Sequence, residues 1–477
     1  MPEPIDFTGP ADFTGRTVLV CGTGLAGRSA LRALIELAAH PLVCSDGPLG
    51  EPLPEPATFL GPLAEVPDGV QAVVASPGLA PSHPLLVAAA TAGLPIFSEL
   101  EFAWRIRPTT AEQAGRWLLV TGTNGKTTTV RMLESILLSA GRRALAVGNV
   151  GVPVIDAVRA EPPYDLLVVE ASSFQLHFST SIRPWAGALL NLAEDHLDWH
   201  GSMAGYAADK AKVWAGRHAI GNADDPMVAG LLSDADTDTE LWFGLAEPAA
   251  GRYGVHDGLL VDPAGNPLLP VSEIRPSGPH NVANALAAAA LASTVEITPA
   301  EIAAGLRAFV PDPHRNQLIG RWHGISFVDD SKATNPHAAA ASMSSYQRII
   351  WIAGGQLKGA DVEPLVAELA SRLAGAVLLG IDRDQIALAL ARHAPDLPVI
   401  TVSRTDDGAM QDAVAAATSL AGAGDVVLLA PAAASKDMFS SYQARGLAFS
   451  AAVQRLPVTD EQAAGSACES ADGGLAR

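Results

Sequence analysis

Short runs of β-branched and aliphatic residues alternate along this chain with longer Ala/Leu-rich stretches of helical period, from Thr17 almost to the end. A strand that is apolar on both faces has to be covered on both, and strand–helix–strand alternation does this with parallel sheets flanked by helices. The rhythm predicts an α/β fold of repeated βα units. At 477 residues there is room for two to four domains of roughly 100–200 residues each. Hydrophobic residues make up 48% and charged residues 17%, so large cores can be built and wholesale disorder is excluded. The formal net charge of −20 repels a phosphate backbone and argues against nucleic acid as a partner. Any phosphate site must therefore be made locally, against the global field. Cys21, Cys44 and Cys468 are widely spaced and form no CxxC, which argues against a disulfide scaffold and a thiolate zinc site. The opening MPEPIDFTGPADFTG is acidic and broken by Pro and Gly, unlike a secretory signal, and no uninterrupted apolar run is long enough to span a bilayer. The expectation is a soluble, cytoplasmic, multidomain protein without a membrane partner.

Three blocks can be separated. In the first, TVLVCGTGLAG runs from a strand into glycines, RSALRALIELAAH reads as a helix, and PLVCSD and QAVVASPG read as further strands, with RIRPTTAEQAG as a linker. The second opens on RWLLVTGTNGKTTTVRMLESILLSAG, a strand, glycine turn and helix stopped by Gly141. ALAVGNVG, YDLLVVEASS and WAGALLNLAEDH follow as strands, GRYGVHDGLLVDPAGNPLLP as a small hairpin insertion, and HNVANALAAAALAS as a helix. The third begins around PDPHRNQ, with ISFVDDSK, RIIWIAGG, GAVLLG, LPVITVS and DVVLLAPAAAS as strands separated by helices. The expected division is 1–108, 109–313 and 314–456, with a small, polar tail at 457–477 expected to be disordered.

The strongest local signal is Gly122-Thr123-Asn124-Gly125-Lys126-Thr127, fed by a strand and leaving into a helix. In that setting backbone N–H groups converge on one concavity and the helix N-terminus adds positive potential. Lys126 is placed to reach the β/γ-phosphates and Thr127 to ligate Mg2+. Val120 stands where the full Walker pattern has its first glycine, so the loop is a compact variant. Glu170 ends the run LLVVE, and Glu194-Asp195-His196 follows GALLN in the same way. Parallel strands deliver such side chains to their carboxyl edge, where a metal ion beside the loop could use them. Gly22-Thr23-Gly24-Leu25-Ala26-Gly27 matches GxGxxG, and Asp46 ends the next strand. That pattern suits a diphosphate on a helix N-terminus with an acid on a ribose, and equally a tight βα turn that only packs helix on strand. The third block places Asp330, Lys332, Thr334, Lys358 and Ser435 at or after strand ends. Such groups suit an anionic substrate or a transferring phosphoryl. Asp330 also reads as a helix N-cap and Lys358 as a solvated loop lysine.

Together these motifs resemble the Mur ligases, the ATP-dependent amino-acid-adding enzymes of peptidoglycan synthesis, over roughly residues 14 to 455. GTNGKTT, GNVG (148–151), EASSFQ (170–175), NLAEDHLD (191–198), HNVANALAA (280–288) and HR (314–315) carry the general resemblance. VDDSKATNP (328–336), GGQLKGAD (354–361) and SKDMFSSYQARG (435–446) resemble the branch that adds D-glutamate. The resemblance implies three domains: an N-terminal Rossmann-like domain for a UDP-linked substrate, a central P-loop-type ATPase domain with a parallel sheet, and a C-terminal Rossmann-like domain for the amino acid. It implies amide-bond formation between UDP-N-acetylmuramoyl-L-alanine and D-glutamate through an acyl phosphate. Gly122, Thr123, Asn124, Gly125, Lys126, Thr127 and Thr128 would cradle the ATP phosphates, with Asn284, Arg315 and Asp330 as further nucleotide contacts. Two Mg2+ ions, or Mn2+ in their place, would be held by Thr127, Glu170, His196 and a carbamate on Lys210. Read without the resemblance, Lys210 is a solvated helix lysine, and Lys212 is its neighbour in the motif. Leu25, Ala26 and Asp46 would hold the UDP end, and Ser76, Asn149, Ser172 and His196 would line the path to the reacting carboxylate. Lys332, Thr334, Lys358, Ser435 and Tyr442 would surround D-glutamate. Lys126, Glu170, His196, Lys210 and Lys332 would carry the chemistry. The protein is expected to be a monomer with small-molecule substrates. Gly47-Pro48 replaces an arginine common in the family, Ala171 a leucine, and Lys436 an apolar residue.

Three alternatives follow from parts of the pattern: a Mur ligase adding another amino acid, a nicotinamide oxidoreductase built on GTGLAG and Asp46, and a regulatory P-loop ATPase. The oxidoreductase leaves GTNGKTT unexplained.

Overall fold

The structure, a computed structural model, describes residues 6–47, 49, 51–108, 115–235, 237, 239–406 and 408–456. It has the expected α/β class. The chain divides into two compact units, Met1–Pro311 and Asp312–Arg477. The tail 457–477 and most of the linker at 109–114 lie outside the described residues.

The first unit carries two sheets. Strands β1 (Thr17–Cys21), β2 (His40–Cys44), β3 (Thr58–Phe59), β4 (Ala72–Val74) and β5 (Ile96–Phe97) form one, all parallel, in the order β3-β2-β1-β4-β5. β3 and β5 are two residues long, too short to leave a periodic signal. The second sheet has nine strands: β6 (Arg116–Thr121), β7 (Ala144–Gly148), β8 (Leu166–Glu170), β9 (Ala186–Leu189), β10 (His218–Asn222), β11 (Thr239–Phe243), β12 (Arg252–His256), β13 (Leu259–Val261) and β14 (Pro267–Pro270). Their order is β14-β13-β12-β11-β10-β9-β6-β8-β7. The expected hairpin is three strands rather than two. β12 pairs parallel with β11 and antiparallel with β13, so the segment extends the sheet instead of being inserted beside it.

Both faces of the central strands are buried, as their continuous apolar runs require. In β6, Trp117 and Leu119 point into one core while Leu118 and Val120 point into the other. The second of these cores is closed by the helix Lys126–Ser139, through Val130, Leu133 and Leu137, and by the Ala-rich helix Pro279–Ser293. The first is shared between the two sheets: Phe7, Phe13, Val18, Phe97 and Phe102 pack in one cluster with Trp117, Leu119, Val147, Val169 and Leu189. A buried carboxylate ties the same seam. Glu101 Oε1 and Oε2 accept from Ser181 N at 3.2 and 3.1 Å, Oε2 accepts from Thr180 N at 3.0 Å and Oε1 from Ser181 Oγ at 2.7 Å, while Arg105 balances the charge at 2.7 Å.

The second unit is a six-stranded sheet, β15 (Gln317–Trp322), β16 (Ile325–Asp329), β17 (Ile349–Gly354), β18 (Leu373–Leu379), β19 (Val399–Thr401) and β20 (Val426–Leu429), in the order β15-β16-β20-β17-β18-β19. β15 is an antiparallel edge strand that the apolar pattern did not reveal, because none of its residues is fully buried. Trp351 and Ala353 of β17 face one core, Ile350 and Ile352 the other. Among the described residues no helix is long and apolar enough to cross a membrane.

Candidate active site

β6 delivers the chain to the glycine loop, and the helix Lys126–Ser139 leaves from it. Gly125 caps this helix with φ +82°, and a Cβ there would lie 2.4 Å from Asn284 Oδ1. Only glycine permits both the left-handed backbone and that close approach. Asn284, predicted to serve the nucleotide, is thus brought to the loop from the helix Pro279–Ser293. The loop is pinned from below by residues that the sequence reading did not single out. Asn124 N donates to Asn191 Oδ1 at 2.8 Å, and Asn191 Nδ2 donates back to Asn124 O at 3.1 Å. Thr123 Oγ1 meets Tyr206 OH at 3.0 Å. Asn191 lies inside the NLAEDHLD stretch, and that was the available signal. The Lys126 ammonium folds back onto Gly122 O and Thr123 O, both at 2.9 Å.

β6 and β8 pair in register, Val120 opposite Glu170, so the Glu170 carboxylate ends the strand next to the loop. It is 2% exposed. Asn149 Nδ2 donates to Oε1 at 3.1 Å, while Oε2 is buried without a hydrogen-bond partner. Burying a charged oxygen unpaired costs several kcal/mol unless a cation completes it. Lys210, on the helix Met203–Ala211, reaches the same place. Its Nζ donates to Gly122 O at 2.8 Å and stands 3.4 Å from Thr121 Oγ1. It is not the solvated lysine that the bare sequence suggests, being 2% exposed. Burial, then the nearby Lys126 charge, holds its pKa well below the ordinary lysine value, with Asp195, Glu170 and Asp209 pulling the other way. A neutral amine is the form that can react with carbon dioxide.

Lys212 is placed differently. Its ammonium bonds Asp209 Oδ1 at 2.9 Å and the carbonyls of Leu176 and His177 at 3.0 and 2.8 Å. His177, His200 and Asp209 have ligand atoms within 4.8 Å of one another. Asp209 Oδ2 already bonds both rings, at 2.8 and 3.1 Å, and His200 Nε2 bonds Ser173. This network fixes the helix that carries Lys210. His196 sits at the mouth of this region with φ +53°, its ring 4.8 Å from Phe174 and its Nε2 3.6 Å from Asp195. Ser172 caps the helix Ser173–His177 by accepting from Gln175 N at 3.2 Å. Thr127 and Thr128 lie in the first turn after the loop, Thr128 buried.

The N-terminal glycine turn has the geometry expected of its pattern. A Cβ on Gly27 would fall 2.1 Å from Gly22 O, so the helix Leu25–Glu36 can pack onto β1 only with glycine there. Leu25, Ala26 and Ser76 line one cleft at this edge, and Asp46 and Ser76 line the adjoining one. His83 Nε2 stands 3.6 Å from Asp46. Glu99 also lines the first cleft. Its Oε1 accepts from Val154 N at 3.1 Å and its Oε2 from Gln175 Nε2 at 3.4 Å, and burial pushes its pKa up to about 7. In sequence it reads as an ordinary acid in a first helical turn.

In the second unit, Ser331 Oγ donates to Tyr442 O at 2.8 Å, and Lys332 Nζ lies 4.1 Å from the centre of the Tyr442 ring. The Ser435 loop and the loop before Lys358 are bridged by Gln356 N donating to Ala434 O at 2.8 Å and Ala434 N to Gln356 O at 2.9 Å. Ser435 is buried and Lys358 exposed, with φ +54°. Thr334 follows Lys332 in one tight turn, Thr334 N donating to Lys332 O. The centre of this cluster is a guanidinium that the sequence reading did not assign. Arg445 is 1% exposed and donates to Ser331 Oγ, Ser331 O and Ala433 O at 3.0, 2.8 and 3.0 Å. Asp330 does not cap the following helix, whose N-cap is Asn335. Its carboxyl accepts from Asn316 N at 3.1 Å, and burial raises its pKa to about 6. Arg315 lies in the adjacent loop, with its charge felt at Asp330.

A glycine loop between strand and helix, a lysine at the helix start and a buried carboxylate on the neighbouring strand define an α/β protein of the P-loop nucleotide-binding class. Residues 120–292 match the Mur ligase middle domain and residues 314–433 the Mur ligase, glutamate ligase domain. The chain is 51% identical over 467 residues to the UDP-N-acetylmuramoylalanine–D-glutamate ligase of Thermobifida fusca, an alignment covering 93% of this chain and 99% of that one. With the same-named protein of Streptomyces coelicolor it shares 47% over 469 residues, covering 94% and 99%. The chain belongs to the Mur ligase family. Among solved structures, UDP-N-acetylmuramate-alanine ligase MurC from Thermotoga maritima superposes with a TM-score of 0.59 at 17% identity, over 92% of this chain and 99% of that one. MurF ligase from Thermotoga maritima in complex with ADP gives 0.54 at 16%, over 93% and 96%. At those identities the likeness is one of fold.

Proposed function

We propose that this protein joins UDP-N-acetylmuramoyl-L-alanine to D-glutamate at the expense of ATP, in peptidoglycan precursor synthesis. The names of the relatives at 47–51% identity support the substrates, and Mur ligases use ATP with Mg2+. The observation that carries the site is the buried, unpartnered Glu170 Oε2 beside the glycine loop. A carboxylate oxygen left bare at the end of a strand, next to a phosphate-binding turn, fits a hard divalent cation.

The reaction forms an acyl phosphate when the substrate carboxylate attacks the ATP γ-phosphorus and ADP leaves. The D-glutamate amine then attacks the acyl carbon and phosphate is expelled. Both steps gather negative charge, so fixed positive groups and N–H donors are what the protein must supply. The loop amides of 122–128 would hold the ATP phosphates, with Lys126 swinging from its own carbonyls to meet them. Thr127, Glu170, His196 and a carbamate on Lys210 would hold two Mg2+, or Mn2+ in their place, which when bound supply charge neutralisation at the phosphates. The depressed pKa of Lys210 supports the carbamate, because an unprotonated nitrogen is its precursor. Asn284 beside the loop, with Arg315 and Asp330, would make further contacts to the nucleotide. Leu25, Ala26 and Asp46 would hold the UDP end, with Ser76, Asn149, Ser172 and His196 lining the path to the reacting carboxylate. In the second unit Lys332, Thr334, Lys358, Ser435 and Tyr442 would hold D-glutamate, whose two carboxylates suit two lysines. The functional division follows 1–108, 109–313 and 314–456, in a cytoplasmic monomer.

The test is phosphate release from ATP with Mg2+ and UDP-N-acetylmuramoyl-L-alanine across a panel of amino acids. Release that needs both this substrate and D-glutamate is expected. Release with another amino acid would keep the family and overturn the acceptor. Release without any substrate would favour a regulatory ATPase.

A further inference from the structure

Two thiols far apart in sequence meet at the carboxyl edge of the first sheet. The register of β1 on β2 sets Cys21 opposite Cys44, and their Sγ atoms lie 3.5 Å apart. Both are free and nearly buried. Each ends its strand, and Gly22 N donates to Cys44 O at 2.7 Å just beyond them. Both also line the cleft of ≈ 190 Å³ that holds Asp46, Ser76 and His83, which gives a small molecule a route to the sulfurs. We propose that Cys21 and Cys44 form an oxidisable dithiol, closed to a disulfide by a small organic disulfide entering this cleft, and that the crosslink weakens ligand binding there. The second half rests on reading the cleft as the UDP site.

The geometry permits the bond. A disulfide needs Cα atoms about 4.4–6.8 Å apart, and neighbouring strands lie about 4.7–4.9 Å apart. The sulfurs must close by about 1.5 Å to reach bonding distance. That movement draws on Gly22 and on the segment Ser45–Gly47, which form the cleft wall. The chemistry balances as two exchanges. The Cys44 thiolate attacks one sulfur of R–S–S–R, forming a mixed disulfide and releasing R–S⁻. Cys21 Sγ then attacks Cys44 Sγ, its proton leaving to solvent as the second R–S⁻ departs. Two protein thiols are oxidised and one small disulfide is reduced to two R–SH. The contact with Cys21 holds the Cys44 thiol below its ordinary value, which suits Cys44 as first nucleophile, while the same contact and burial push Cys21 up.

The test incubates the reduced, full-length protein with 2-hydroxyethyl disulfide, maps thiols by peptide mass spectrometry, and measures UDP binding by calorimetry before and after. A Cys21–Cys44 crosslink lighter by two hydrogens is expected, with Cys468 still open to alkylation. UDP affinity should fall about tenfold and recover with dithiothreitol, and Cys44→Ser should lose the response to oxidant whatever its own affinity. Mixed adducts alone, a crosslink to Cys468, or two unreacted thiols would overturn the dithiol. A mapped crosslink with unchanged UDP affinity would overturn the effect on binding. If the reduced protein binds no UDP, the reading of the cleft fails, while the mapped crosslink still supports the dithiol.

Discussion

Glu99→Gln isolates the electrostatic cost of a buried carboxyl beside the N-terminal cleft. Burial raises the Glu99 pKa from its ordinary 4.5 to about 7, against the hydrogen bonds from Val154 N and Gln175 and with a further push from Asp156. The folded state therefore favours the protonated form. Glu99 contributes its full stability at pH below the unfolded value of 4.5 and loses it as pH rises through about 7. At about 1.4 kcal/mol for each pH unit, the rise from 4.5 to about 7 amounts to roughly 3 kcal/mol. Glutamine is neutral throughout and has no such loss. Its amide cannot accept from both donors at once, so the variant carries a hydrogen-bond penalty, but one that is the same at every pH. The quantity to read is the difference between the two proteins as a function of pH. Urea unfolding monitored by tryptophan fluorescence, at intervals from about pH 4.5 to about pH 8, should show the variant gaining roughly 3 kcal/mol on the wild type across that range. Stability curves that stay parallel would refute the reasoning, since they would mean that Glu99 titrates alike in the folded and unfolded chains.

Lys126→Ala should cut substrate-dependent phosphate release on the order of 10²–10³-fold; near-normal turnover would remove Lys126 from the phosphate site. Lys210→Ala should be inactive and partly rescued by acetate, and Lys210→Met should be inactive yet fold at least as stably as the wild type, since burial disfavours the charged amine and an apolar chain carries no such penalty. Full activity of Lys210→Ala without acetate would make the lysine structural. Gly27→Ala should cost roughly 1–3 kcal/mol, because the new methyl meets a backbone oxygen that cannot swing away, and an unchanged thermal midpoint would show that helix and strand can part there.

The features legible in the sequence were those written locally. The GTNGKTT turn announced a strand, a loop and a helix within a dozen residues, and Glu170 could be placed because an apolar run ending in an acid has one natural position in a parallel sheet. What escaped depended on register or burial. Cys21 and Cys44 are remote until β1 and β2 align in parallel. Lys210 and Lys212 share a motif, Lys210 on the last turn of its helix and Lys212 just past its end, and only the angle between them sends one to the phosphate loop and the other to Asp209. Arg445 sits in a polar stretch and gives no sign that carbonyls and a serine will enclose it. β15 half-buries Ile319 and Trp322 and shifts register between Leu318 and Gly320, so no clean alternation marks it.

The seam between the two sheets of the first unit has a practical side. In sequence, residue 108 looks like a place to cut. In the folded chain, a fragment stopping there would lay bare Phe13, Phe97 and Phe102 where they meet Trp117 and Leu189, and would strand the Glu101 carboxylate without the Thr180 and Ser181 donors that hold it. The early and middle portions should therefore melt as one cooperative block, and a ligand that stiffens the cleft at Gly22 should register as slower hydrogen exchange in β6.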